Sequence, residues 1–122
     1  LSAAEHGVDS LAIPTDAAAC AKALAQKLGT VVVLSGAEDL VTDGTTLHSV
    51  SGGSDFMRSV TGAGCMLSVL CGAFAAVQPQ QPLNAAVQAA AFWKACAEKA
   101  EPMAHGPASF RVALLDAAAQ IL

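Results

Sequence analysis

Residues 59–74 read Ser-Val-Thr-Gly-Ala-Gly-Cys-Met-Leu-Ser-Val-Leu-Cys-Gly-Ala-Phe. Two glycines and a cysteine stand directly before an uncharged run long enough for a helix. A helix that starts near Gly62 leaves the amides of Gly62, Ala63, Gly64 and Cys65 without intrahelical acceptors. The positive end of the helix dipole lies at the same place, and glycine lets a ligand approach the backbone closely. Together these features suit an anion, phosphate above all. The same residues also suit a plain glycine turn into a core helix, with Cys65 a small buried residue. The spacing fits neither G-x-x-x-x-G-K-[ST] nor G-x-G-x-x-G, so spacing alone does not choose between the two.

Composition narrows the class. The 122 residues are 54% hydrophobic and 13% charged, with a formal net charge of −4. That is enough chain for one packed domain, and too apolar for a disordered one. Lys22, Lys27, Arg58, Lys94, Lys99 and Arg111 are scattered. No basic patch therefore recommends nucleic acid or an anionic membrane as partner. The uncharged stretch from Ser59 to Trp93 is broken by Gln78-Pro79-Gln80-Gln81-Pro82-Leu83-Asn84. Its apolar part is shorter than the roughly 20 residues a bilayer requires, so buried helix is expected. Cys20, Cys65, Cys71 and Cys96 form no C-x-x-C pair, which points to a reducing, cytoplasmic setting. Cys20 and Cys96 fall in helical patterns, as small core residues do.

Working outward from the glycine turn gives the element order. Ser10–Ile13 is strand-like. Thr15 or Asp16 caps a helix ending at Leu28 before Gly29, with Ala17, Cys20, Leu24 and Leu28 as its apolar stripe. Thr30–Leu34 is β-branched and apolar, as a parallel strand buried on both faces would be. Ser35–Asp39 is the loop at that strand's carboxyl end, where ligands bind in open α/β sheets. Leu40–Thr42 and Thr46–Val50 flank Asp43-Gly44, the signature of a hairpin. Ser51–Asp55 is loop. The helix from Gly62 to Val77 is apolar nearly all round and is therefore expected to be central. Further helices are expected over Leu83–Lys99 and from Gly106-Pro107 to Gln120. His48 is expected on an exposed strand face, His6 and His105 in loops, Phe92 and Trp93 in the core, and Ser109 capping or lining the last helix. The order predicts an α/β fold, yet the helices call for more sheet than these strands provide.

The wider pattern is more specific than any one motif. Val60-Thr61-Gly62-Ala63-Gly64-Cys65-Met66-Leu67 followed by Gly72-Ala73-Phe74-Ala75-Ala76-Val77 resembles the hydroxyethylthiazole kinases. Gly7-Val8-Asp9-Ser10, Lys27-Leu28-Gly29-Thr30-Val31-Val32, Ser35-Gly36-Ala37-Glu38-Asp39, Val41-Thr42-Asp43-Gly44 and Gly106-Pro107-Ala108-Ser109-Phe110 match in register. The resemblance covers essentially the whole chain. It implies a ribokinase-like three-layer α/β fold, of which residues 1–122 are the C-terminal half: a short sheet segment, a hairpin and several packed helices. It implies transfer of the ATP γ-phosphoryl group to the hydroxyl of 4-methyl-5-(2-hydroxyethyl)thiazole, a thiamine salvage step that uses Mg²⁺. It makes Gly62 substrate-binding, Ala63, Gly64 and Cys65 catalytic, and Ser35 ATP-binding. It also brings the last helix near the nucleotide. Ala37 stands at the family's usual glutamate position, with an acid one residue later at Glu38.

The family's G-N-x-S-E motif, its ATP-binding arginine and the acids associated with Mg²⁺ precede G-V-D-S and do not occur here. No metal ligand is therefore assigned in this sequence, and these residues alone are not expected to turn over. The resemblance further implies a homotrimer with the thiazole site between subunits. Two other readings stay open. Hydroxymethylpyrimidine phosphate kinases share the fold and a G-T-G-C turn, and a non-catalytic module could keep the anion site or an oligomer contact.

Overall fold

The computed structural model describes residues 16–121; the expected strand Ser10–Ile13 and His6 lie outside them. The first helix, α1, spans Ala17–Leu28. Asp16 caps it by accepting the Ala19 N–H at 3.0 Å, and Gly29 closes it in the left-handed conformation. Its buried stripe differs from the expected one. Ala21 and Ala25 are buried, Cys20 is half-buried and Leu28 is 61% exposed. Alanine lets the helix approach the sheet closely, and Gln26 donates from Nε2 to the Gly44 carbonyl at 2.7 Å.

Strands β1 (Val32–Leu34), β2 (Asp39–Thr42) and β3 (Leu47–Val50) form an antiparallel meander in the order β1-β2-β3. Val33 pairs with Val41, and Val41 with His48. The expected parallel, fully buried strand is thus corrected: β1 runs antiparallel to β2 and its residues are half-buried. The reason is the short connection over residues 35–38. A parallel return needs a crossover of about a dozen residues or more. The hairpin turn forms as read, with the Asp43 carboxylate accepting the Thr45 and Thr46 amides.

Successive strand residues face opposite sides of a sheet, and both Val41 and Thr42 are fully buried. The central strand β2 is therefore covered on both faces. Val41 joins the main core, and α1 lies across β1 and β2 on the second face.

Three helices follow: α2 (Ala63–Val77), α3 (Pro82–Ala100) and α4 (Pro107–Ile121). The expectation that the first of these would be central is corrected, because α3 holds that place and touches α2, α4, β2 and β3. Its buried residues are mostly alanines, grouped with Trp93, Lys94 and Cys96. Small side chains let neighbours close in from several sides. By contrast α2 buries only Ala63 and Leu67, and its Val69 and Val77 are 73% and 77% exposed. Phe74 meets Phe92 of α3 at a centroid separation of 5.8 Å. Phe110 of α4 is fully buried and stacks at 5.4 Å on Phe56. Phe56 belongs to the 3-10 turn Asp55–Ser59 that leads into α2.

Candidate active site

The start of α2 is built as its sequence suggests, with one amendment. Gly62 is the N-cap at φ 95°, a conformation that side chains strongly disfavour. No side chain caps the helix. Met66 donates its N–H to the Gly62 carbonyl at 2.9 Å, which sets the helical register. The Ala63 N–H donates to the Val60 carbonyl at 3.2 Å and is not free. The amides of Gly62, Gly64 and Cys65 find no acceptor among the described residues. A Cβ built on Gly62 or Gly64 would meet nothing within 4 Å, so the space beside the turn is open. Cys65 is exposed, one step along the same turn.

This turn is held from behind by Trp93. Its indole N–H donates to the Ala63 carbonyl at 3.1 Å, and its ring is buried in the core. The position of the helix start is thus fixed by α3, although Trp93 read in sequence only as a core residue.

The loop over residues 35–39 has a comparable anchor. The Asp39 carboxylate accepts the Gly36 N–H at 2.8 Å and lies 3.6 Å from Lys94 Nζ. The same ammonium donates to the carbonyls of Ala37 at 3.0 Å, Gly52 at 3.3 Å and Gly36 at 3.4 Å. Burial pushes the Asp39 carboxyl above the ordinary range, against the pull of the Gly36 amide and the Lys94 charge. Burial also raises the Cys71 thiol, and the Asp39 charge adds to that rise. Ser35 is exposed at the carboxyl end of β1, and Glu38 accepts a hydrogen bond from the Ser49 hydroxyl of β3.

Lys94 had seemed one of several scattered cations, yet it is 4% exposed. A signal was available: it falls in phase with Ala90 and Ala97, on the buried stripe of α3. Glu98, one turn further on, accepts the Gly53 N–H at 3.0 Å.

The other candidates take the places read for them. His48 and His105 are exposed, Cys96 is buried and Phe92 is half-buried against the core. Ser109 Oγ accepts the amides of His105 and Gly106 at 2.8 and 3.2 Å, tying down the start of α4.

The architecture is that of part of an α/β kinase fold. It superposes on the structure of a hydroxyethylthiazole kinase protein from Pyrococcus horikoshii with a TM-score of 0.77 and 38% identity, over 82% of this chain and 39% of that one. Residues 1–122 match the hydroxyethylthiazole kinase family. A hydroxyethylthiazole kinase of Methanocella arvoryzae is 47% identical over 111 residues, which is 91% of this chain and 41% of that relative. One from Gemmatimonas aurantiaca is 47% identical over 118 residues, 97% of this chain and 42% of the relative. The chain belongs to the hydroxyethylthiazole kinase family and spans about two fifths of the length of these relatives.

Proposed function

We propose that the protein phosphorylates the hydroxyl of 4-methyl-5-(2-hydroxyethyl)thiazole with ATP, and that residues 1–122 supply the C-terminal half of its kinase domain. One observation carries this reading: the unshielded amides of Gly64 and Cys65 at a glycine-cleared helix start. Phosphoryl transfer asks a protein mainly for positioning and charge stabilisation. Fixed amides and a helix dipole supply both where negative charge accumulates. In this reading Gly62 contacts substrate, Gly64 and Cys65 hold the transferring phosphoryl group, and Ala63 contributes by holding the turn through its carbonyl bond to Trp93. The Cys65 thiol lies beside the acceptor hydroxyl, and Ser35 meets ATP.

The described residues form no all-protein cage for magnesium. No group of three or more His, Cys, Asp or Glu converges among them, and the Asp39 carboxylate is engaged by Gly36 and Lys94. Mg²⁺ therefore belongs to the proposal as the family's companion of ATP, and no step is derived through it. A cytoplasmic homotrimer is part of the same reading. Among the described residues no helix is long and apolar enough to cross a membrane.

The test is turnover by the natural full-length protein, followed as ADP release with the thiazole and, separately, with hydroxymethylpyrimidine. ADP release that depends on the thiazole is expected. Phosphorylation of the pyrimidine alone would replace the thiazole reading with its relative. A folded protein inert towards both would favour a non-catalytic module. Within an active enzyme, Cys65→Ala separates thiol from amides: unchanged turnover removes the thiol from the mechanism and leaves the amide cradle in place.

A further inference from the structure

Lys94 and Glu98 stand one turn apart on α3 and grip opposite ends of a single peptide group. Lys94 donates to the Gly52 carbonyl, and Glu98 accepts the N–H of Gly53, the other end of that bond. Gly52 sits at φ 101°, a conformation that side chains strongly disfavour, and a Cβ there would also crowd the Glu98 carboxylate. The same ammonium holds the carbonyls of Gly36 and Ala37 and pairs with Asp39. Two loops, one before β2 and one after β3, thus share one buried cation.

An ammonium has three donors and no acceptor. Here its partners are three backbone carbonyls and one carboxylate. A buried pair of this kind is weak evidence for stability, because desolvation offsets the attraction. Fixing backbone carbonyls in two loops at once is a geometric effect that a hydrophobic replacement does not supply.

We propose that Lys94 is a positioning residue that locks the 35–39 and 51–53 loops into one unit and so fixes the place of Ser35. The nucleotide part of this inference rests on the reading of Ser35 as an ATP contact. Lys94 itself does not touch the reacting atoms. It acts through the loop carbonyls, and Glu98 completes the grip from the next turn.

The test uses the natural full-length protein. Lys94→Met keeps the aliphatic stem and deletes the ammonium. Amide exchange at Gly36 and Gly53, whose N–H groups are bonded to Asp39 and Glu98, is expected to rise together, and KM for ATP to increase about tenfold with kcat within about twofold. A Lys94→Met, Asp39→Asn double variant guards against a mere folding defect, since it removes the orphaned buried carboxylate. It is expected to regain thermal stability while both loops still exchange fast. Slow exchange in either loop of the double variant overturns the lock. Fast exchange in both loops with an unchanged KM for ATP overturns the nucleotide role. Exchange is read without substrate, so loops that loosen together in a protein with no ATP-dependent turnover would retire the proposed kinase function and leave the lock itself supported.

Discussion

Trp93 donates its indole N–H to the carbonyl of Ala63, thirty residues earlier, and this bond seats the first turn of α2 on the central helix. Ala63 is itself buried, so donor and acceptor meet out of water. Trp93→Phe keeps most of the ring and loses the donor. It is expected to cost about 1–2 kcal/mol in urea unfolding, whereas Trp93→Ala, which leaves a cavity, should cost about 3–5 kcal/mol. If the full-length protein turns over as proposed, Trp93→Phe should also lower that turnover, because the helix start loses its anchor. Wild-type turnover in a folded Trp93→Phe protein would show that the anchor has no part in catalysis.

The two glycines of the turn should part company. Gly62→Ala forces a side chain into a left-handed backbone and should destabilise by about 1–2 kcal/mol. Gly64 lies inside the helix, where alanine is the better residue, so Gly64→Ala should stabilise by up to about 1 kcal/mol. A methyl at either position occupies the open space beside the amides. Both changes should therefore lower kcat/KM by about tenfold or more, equivalent to about 1.4 kcal/mol of transition-state binding. A Gly64→Ala protein that is more stable and fully active would show that no ligand approaches the backbone there.

Asp39 makes a prediction about pH. Burial raises its carboxyl in the native state above the unfolded value, despite the Gly36 amide and Lys94. The folded chain then binds the proton more tightly than the unfolded chain does. Its contribution is fully present below the ordinary carboxylate range and is lost as pH rises through the native value. Relative to wild type, Asp39→Asn should thus gain stability as pH rises above the ordinary carboxylate value of about 4. Urea midpoints of the two proteins across that rise measure the difference. A relative loss would mean that Lys94 outweighs burial at this carboxylate.

Thiol labelling reads the same geometry without any substrate. Cys65 is exposed, Cys20 and Cys71 are half-buried, and Cys96 is fully buried. Burial also raises the thiols of Cys71 and Cys96, and the thiolate is the reactive form. A maleimide followed by peptide mass spectrometry should mark Cys65 first and Cys96 last. Early labelling of Cys96 would contradict the packing of α3.

What was legible in the sequence was mostly local. The caps at Asp16 and Gly29, the Asp43-Gly44 turn, the glycine start at Gly62 and the proline start of α4 are each fixed by neighbouring residues, and all form as read. Depth was harder to read. The apolar run of α2 looked central, yet the alanine-rich α3 takes the middle because small residues admit neighbours on several sides. Thr30–Leu34 looked like a parallel strand because its composition reports burial and carries no record of strand direction. The direction came from the short connection to β2. The candidate site followed the same division. Its glycine turn was visible, while the residues behind it, Trp93 and Lys94, act over long separations and carried only a phase within a helix.

Those two residues are consecutive, and this makes α3 a gauge whose setting allows no slippage. Trp93 sets the height of the glycine turn at the start of α2, and Lys94 sets the two loops. A helix advances about 100° per residue. One residue inserted between Asn84 and Phe92 would swing both side chains away from their targets together. The Gln78–Gln81 turn that precedes α3 carries neither anchor. Length variation in this region should therefore collect in that turn, and the body of α3 should keep its residue count.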